Sequence, residues 1–256
     1  ADGVYFASEV QFLAALCPER LRINVEHLKR LMVNGYKALY KEPRTFFHGV
    51  EELPRASVLE FDGSGKETLS CYWAPGYAPD HTMSYDDAVE GTKAALIEAV
   101  RIRLRSDVPL AFSLSGGVDS NALVGIAHNV LGFDVHGFTI ANTDARYAET
   151  ELVNHSVAEL GVRHTSIPVD TSDFLVTLRE LVRYRAAPVY TITYLAHWRL
   201  MQCIAQHGYK ISIGGTGADE LFSGYYDHHN AYLYEVRNDN TRFAQALAEW
   251  KEFIAP

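Results

Sequence analysis

The chain has 256 residues, 48% of them hydrophobic and 21% charged, with a formal net charge of -9, a length that allows one large domain or one domain with part of another. The acidic balance argues against a nucleic-acid surface as the main function, and no stretch approaches the ~18 consecutive apolar residues of a membrane span. Three widely spaced cysteines, Cys17, Cys71 and Cys203, form no CxxC pair, so neither a disulfide framework nor a zinc site is suggested, and a soluble protein of a reducing cytoplasm is expected.

The amino terminus, ADGVYFASEV, has no basic n-region and no long apolar h-region, so it does not read as a secretory signal. It starts without Met, and together with the helical look of KEFIAP at the other end this reads as a portion of something longer. Alternation predicts a short strand at 3–8, then a helix at 25–36. The turn residues Asp62, Gly63, Ser64 and Gly65 lie between Val58-Leu59-Glu60-Phe61 and Thr68-Leu69-Ser70-Cys71-Tyr72 and predict a hairpin. Residues 74–83, with Pro75, Gly76 and Pro79, read as the linker between two domains.

From Ser84 onward helices and strands alternate. A helix over 85–105, capped by Ser84, carries Val89, Leu96, Val100 and Leu104 on one face. Strand 108–114 leads into SGGVDS and a helix to about Leu131. Strand 135–140, a helix at 147–160 closed by Gly161, strand 163–169, helix 172–184, helix 191–207 ending at Gly208, and strand 209–213 follow. The second strand-to-turn junction is GGTGADELFSGYYDHH. Strands separated by helices over this length predict an α/β fold, a doubly wound parallel sheet with helices on both faces.

In such sheets ligands bind at the carboxyl ends of strands, where helix amino termini face a crevice. Strand-SGGVDS-helix is that location. Gly116 and Gly117 permit close backbone approach and positive φ, and Ser115 and Ser120 add hydroxyl donors suited to phosphate oxygens. A plain βα turn capped by Ser120 or Asp119 is the competing reading. The turn lacks the lysine of a Walker loop and the spacing of a dinucleotide fingerprint.

SGGVDS resembles the SGGxDS pyrophosphate loop of the ATP pyrophosphatase superfamily, and GGTGADELFSGY resembles the SGEGSDExFGGY segment of the asparagine synthetase family. The chain between follows the same family through the FTI strand, an Asp144 to Glu149 region and VRHTSIPV. YFASEV with TFFHGVEELP looks like the end of the family's glutaminase domain. The resemblance implies that 1–75 is the carboxy-terminal remnant of a class II glutaminase domain with its linker, partial and α+β. It also implies that 84–256 is an adenine nucleotide α-hydrolase-like synthetase domain, incomplete at its carboxy terminus. The implied reaction activates a substrate carboxylate with ATP as an acyl-adenylate, then amidates it with glutamine-derived ammonia. The implied roles are Asp119 and Asp219 as catalytic and Mg²⁺ carboxylates, and Gly116, Gly117 and Ser120 at pyrophosphate. Ser115 is placed at the nucleotide, Leu114 and Gly215 around adenosine and the α-phosphate, and Thr216, Glu220 and Arg185 toward substrate. Arg185 reads equally as a solvated loop charge.

Thr216 stands where related synthetases carry Glu, and Thr cannot bind a substrate ammonium by charge. The acceptor therefore stays open between aspartate and a sugar carboxylate of surface polysaccharide synthesis, with a β-lactam synthetase-like cyclase or a non-catalytic binding module as other readings. A homodimer is also left open. The family's glutaminase has its cysteine at the mature amino terminus, whereas this chain begins with Ala1 and none of Cys17, Cys71 and Cys203 occupies that position; the family's catalytic lysine is expected beyond Pro256, and Lys251 is not assigned that role. The three cysteines are expected to be packed, inert thiols. The Asp227, His228 and His229 group is expected to serve the surface or a substrate pocket rather than a metal, because neighbouring helix positions diverge.

Overall fold

The computed structural model describes residues 3–19, 21–76, 78–80, 82–141, 149–168 and 172–254. In chain order the elements are α1 (Val10–Leu16), β1 (Arg22–Ile23), α2 (Val25–Asn34), β2 (Phe47–His48), β3 (Ser57–Phe61), β4 (Glu67–Cys71), α3 (Tyr85–Arg103), β5 (Leu110–Ser113) and α4 (Val118–Gly125). They continue as β6 (His136–Ala141), α5 (Thr150–Leu160), β7 (Arg163–Pro168), α6 (Phe174–Arg185), α7 (Thr193–Gln206), β8 (Ile211–Ile213), α8 (Ala218–Phe222), α9 (Tyr226–Glu235) and α10 (Asn240–Glu249). The chain forms two compact units, Ala1–Val89 with Asp170–Arg199, and Glu90–Val169 with Leu200–Pro256.

In the first unit, residues 3–8 form no strand; Val4 and Phe6 are exposed, so this alternation has no sheet to pair with. Asn24 caps α2 by accepting from the His27 N–H at 3.1 Å. The helix ends at Asn34, two residues before the expected end at 36, with Gly35 as its C-cap, and Tyr36–Lys41 continue as a tighter 3₁₀ turn. The hairpin is present as β3 and β4, antiparallel from Ser57↔Cys71 to Phe61↔Glu67. The Asp62 carboxylate fixes its turn by accepting from the Ser64 and Lys66 N–H groups at 2.8 and 2.9 Å. Cys71 is exposed, which corrects the expectation of a packed thiol there: every residue of β4 is exposed. In the opening of α3, Ser84 Oγ accepts from the Asp87 N–H at 3.1 Å, as the cap requires, but Val89 is exposed rather than part of the buried face.

The second unit holds a four-stranded parallel sheet in the order β7-β6-β5-β8. One face packs Leu110, Phe112 and Leu114 against Val100 and Leu104 near the end of α3, Val124 of α4, and Val157 and Leu160 of α5. The opposite face packs Ala111 and Phe138 against Leu200, Cys203 and Ile204 of α7. Helices on both faces explain why β5 is buried along nearly its whole length. Beyond α4 the coil widens into a π turn over Ile126–Val130, with the Leu131 N–H donating to the Ile126 carbonyl at 3.0 Å. The expected strand 108–114 is thus shorter at both ends. The Asp144 part of the expected acidic region lies outside the described residues.

His136 and His164 sit inside this unit, and burial, the leading cause for each, pulls their protonation below the usual 6.5. The unfolded chain takes up these protons near pH 6.5 while the folded one resists, so the unfolded state binds more protons in that window. Stability is expected to fall as pH drops through about 6.5 toward 5, before carboxylates titrate. Urea midpoints measured between pH 7.5 and 5 check this, and a midpoint that holds or rises on acidification contradicts it.

Candidate functional site

Strands β5, β6 and β7 run outward in one direction from β5, and β8 lies on the other side of β5. The carboxyl ends of β5 and β8 therefore mark the point where strand order reverses, which is where open α/β sheets build ligand sites. Both glycine-rich turns leave the sheet there. Ser113 Oγ and Ser212 Oγ lie 3.0 Å apart and tie the two strand ends together.

The first turn is knotted by side chains. Ser120, buried, places Oγ 3.0 Å from both the N and the Oγ of Ser115, 3.2 Å from the Ser115 carbonyl and 3.1 Å from the Gly117 carbonyl. Asn121 Nδ2 donates to the same two carbonyls at 3.0 and 2.8 Å. The Ser115 and Gly117 N–H groups are also held inside the turn, donating to Ser120 Oγ at 3.0 Å and Ser115 Oγ at 3.2 Å, so the N–H groups left for a ligand are those of the first turn of α4, which has no side-chain cap at Gly117. Asp119 is inside α4 rather than at its N-cap position, which removes the cap reading for it. The Gly116 N–H donates to Glu149 Oε2 at 2.8 Å, so a carboxylate oxygen already occupies an amide of this turn. Neither Gly116 nor Gly117 has positive φ, a correction to the expected backbone freedom. At Gly116 the need is for space: a side chain would meet Leu152 and Glu149 carbons at 3.1 and 3.2 Å.

The second turn leaves β8 at Gly214. At Gly215 a β-carbon would stand 2.9 Å from Asp119 Cβ and 3.2 Å from Ser120 N, so the two turns touch through this glycine. Gly217, at φ +100, opens the short helix α8 in a conformation that suits glycine. Asp219 lies against Gly224, whose added β-carbon would fall 1.6 Å from Oδ1. Glu220 accepts from the Tyr225 hydroxyl at 2.7 Å, and that hydrogen bond, first among the causes, holds its carboxyl below the ordinary range. Thr216 is exposed.

The structure thus brings together, in one unit, Leu114, Ser115, Gly116, Gly117, Asp119, Ser120 and Gly215, with Thr216, Asp219 and Glu220 on the second turn. Arg185 belongs to the other unit; as the last residue of α6 it stacks on Tyr194, its guanidinium carbon 3.9 Å from the ring centroid. It is half-buried on an aromatic ring, so the solvated-loop reading is set aside. His228 and His229 fall in α9, and no group of three His, Cys, Asp or Glu suited to a metal occurs among the described residues. Asp119 and Asp219 offer the hard oxygen donors that Mg²⁺ takes, and this ion commonly completes its shell with phosphate oxygens and water; the residues fit such an ion.

Sequence reasoning missed Asn121, Glu149, Thr139 and His164. Asn121 has a local signal, a side-chain amide four residues after Gly117 on a helix start, whereas Thr139 and His164 arrive from β6 and β7 and Glu149 from the N-cap of α5.

An α/β sheet with two glycine turns converging at its switch point defines a ligand-binding domain of the doubly wound class. Residues 91–253 match the asparagine synthase family, and the chain belongs to it. It is 26% identical over 224 residues to asparagine synthetase [glutamine-hydrolyzing] 1 of Bacillus subtilis, covering 88% of this chain and 34% of that protein. It is 28% identical over 202 residues to the amidase chyE of Penicillium rubens, covering 72% and 30%. With the putative asparagine synthetase [glutamine-hydrolyzing] 2 of Methanocaldococcus jannaschii the identity is 26%, covering 94% and 47%. The chain thus spans about a third to a half of these relatives. Among solved structures, the NH3-dependent NAD synthetase from Campylobacter jejuni in complex with nitrate ion has 18% identity and a TM-score of 0.35, covering 56% of this chain and 61% of that one. No helix among the described residues is long and apolar enough to cross a membrane.

Proposed function

We propose that this chain is the activating part of an ATP-dependent, AMP-forming amidotransferase. The observation that carries the reading is the contact of the two glycine turns at Gly215, with one aspartate on each. An ionised carboxylate has no good leaving group and does not react usefully with ammonia at neutral pH. In the proposed reaction a substrate carboxylate oxygen attacks the α-phosphorus of ATP, the bond to the bridging oxygen breaks, and pyrophosphate leaves. Ammonia then attacks the acyl carbon of the acyl-adenylate and AMP departs. The amides of the first turn of α4, with the Ser115 and Ser120 hydroxyls and the Gly116 N–H once pyrophosphate displaces Glu149 from it, would hold the pyrophosphate oxygens as charge develops. Mg²⁺, held by Asp119 and Asp219, would supply charge neutralisation of the same group. Leu114 and Gly215 border the adenosine and α-phosphate.

Residues 1–75 would be the end of a glutaminase domain that delivers glutamine-derived ammonia, and 84–256 the synthetase domain. Thr216, exposed and uncharged at physiological pH, favours an acceptor without an ammonium group, a sugar acid over aspartate. Glu220 is a candidate for an acceptor contact.

Calorimetric titration with ATP and Mg²⁺, alongside Asp119→Ala, tests the reading. Wild-type chain should bind saturably and the variant at least about tenfold more weakly, as expected when a metal-site carboxylate is lost. AMP release that depends on aspartate or on a uronic acid identifies the acceptor. No binding by a folded wild-type chain would sink the proposal and leave SGGVDS as a tight turn in an interaction module.

A further inference from the structure

We infer that His164 is a positioning residue for the first glycine turn, acting through Thr139 on the Leu114 carbonyl. Thr139, on β6, is buried, and its Oγ1 lies 2.5 Å from the Leu114 carbonyl oxygen. A carbonyl only accepts, so the single hydroxyl proton of Thr139 is committed to Leu114. His164 Nε2, on β7, lies 2.9 Å from the same Oγ1. With the hydroxyl proton already used, the imidazole must be the donor, which fixes its proton on Nε2. The proton order runs from His164 through Thr139 to Leu114, a chain in which each bond polarises the next.

The target of this chain is the peptide plane that opens the turn. Its carbonyl is that of Leu114 and its N–H is that of Ser115. Thr139 holds the carbonyl side, and Ser120 Oγ accepts from the N–H side at 3.0 Å. Leu114 is anchored once more by its own N–H, which donates to the Phe138 carbonyl at 2.9 Å. Rotating this plane would break both contacts and swing Ser115 and Gly116 away from the start of α4. The sheet register makes the reach feasible: His164 pairs with Gly137 and Ser166 with Thr139, so His164 and Thr139 share one sheet face. Gly137 also leaves room on that face, since a β-carbon there would meet Leu114 Cδ2 at 3.2 Å. The geometry is independent of what the turn binds; the functional consequence rests on the nucleotide reading.

The test uses His164→Leu, which removes the donor, His164→Gln, which can restore an N–H near the Nε2 position, and Thr139→Val, which keeps the shape without the hydroxyl. Two readouts are taken on the whole chain: hydrogen exchange of the Ser115–Ser120 amides without nucleotide, relative to the rest of the sheet, and the ATP–Mg²⁺ dissociation constant. His164→Leu and Thr139→Val should each speed exchange in the turn and weaken ATP by about tenfold. His164→Gln should stay near wild type, and the double variant His164→Leu/Thr139→Val should be no worse than Thr139→Val alone, because the two act in series. If His164→Leu does not fold, Thr139→Val against wild type decides by the same readouts. Unchanged turn exchange in His164→Leu or Thr139→Val, or a His164→Gln as impaired as His164→Leu, overturns the inference. A wild-type chain that binds no ATP sinks the nucleotide reading, and turn exchange still decides the role of His164.

Discussion

Gly215→Ala should weaken ATP–Mg²⁺ binding by about a hundredfold, the scale expected when reacting groups are displaced by about 1 Å. The backbone of Gly215 is outside the left-handed region, so alanine is locally permitted and the effect is steric alone. Its methyl would stand 2.9 Å from Asp119 Cβ and 3.2 Å from Ser120 N. Neither atom is the end of a flexible side chain, so relief requires the second turn to move off the start of α4. That motion separates Asp119 from Asp219 and opens the amide cradle, with a further stability cost of about 1–3 kcal/mol from overpacking. Gly214→Ala is the control, because its methyl would meet Ser113 Cβ at an ordinary 3.6 Å. Calorimetry on both variants decides, and a Gly215→Ala protein that binds ATP as wild type does would show that the two turns need not touch for binding.

Phe112→Ala should lower the unfolding free energy by about 3–5 kcal/mol. Phe112 is 0% exposed and heads the fully buried side chains by volume. It meets Phe133 edge-on at 6.0 Å and lies at the one position of β5 that pairs with both Gly137 and Ile213. Truncation removes that contact area and leaves a cavity beneath the strand that carries the first turn. A loss on this scale is a large share of the 5–15 kcal/mol typical of a domain. Urea unfolding of Phe112→Ala beside Phe112→Leu measures it. A drop below about 1 kcal/mol would mean that the core collapses around the missing ring, against the rigidity inferred from its packing.

The alternation of helix and strand from Ser84 onward was legible because turns or glycines bound its segments and the inner strands β5 and β6 carry apolar residues, although β7, RHTSIP, is largely polar. Gly161 and Gly208, at positive φ, end their helices as read. Alternation at 3–8 misled because period-two patterning shows which residues share a face, not whether a neighbouring strand exists. The segment 214–225, read only as a turn after a strand, holds the short helix α8, which ends at Ser223 with φ 69. At the site, the glycines and aspartates were visible because they cluster in two local motifs. The bond from Glu149 to Gly116 and the path from His164 through Thr139 to Leu114 were not, since each joins strands or helices far apart in sequence. Asn121 was within reach of local reasoning, as an i to i+4 contact to Gly117.

The pairing of β5 with β8 joins Ser113 and Ser212, 99 positions apart. A ladder of such long sequence separation closes late, because the loop entropy must be overcome before the contacts form. During synthesis the SGGVDS turn leaves the ribosome well before β8 exists, and until then one side of β5 is an unpaired edge open to other strands. The cradle is therefore a product of the last strand pairing of this sheet, and a chain that has not yet made it exposes β5 as an edge.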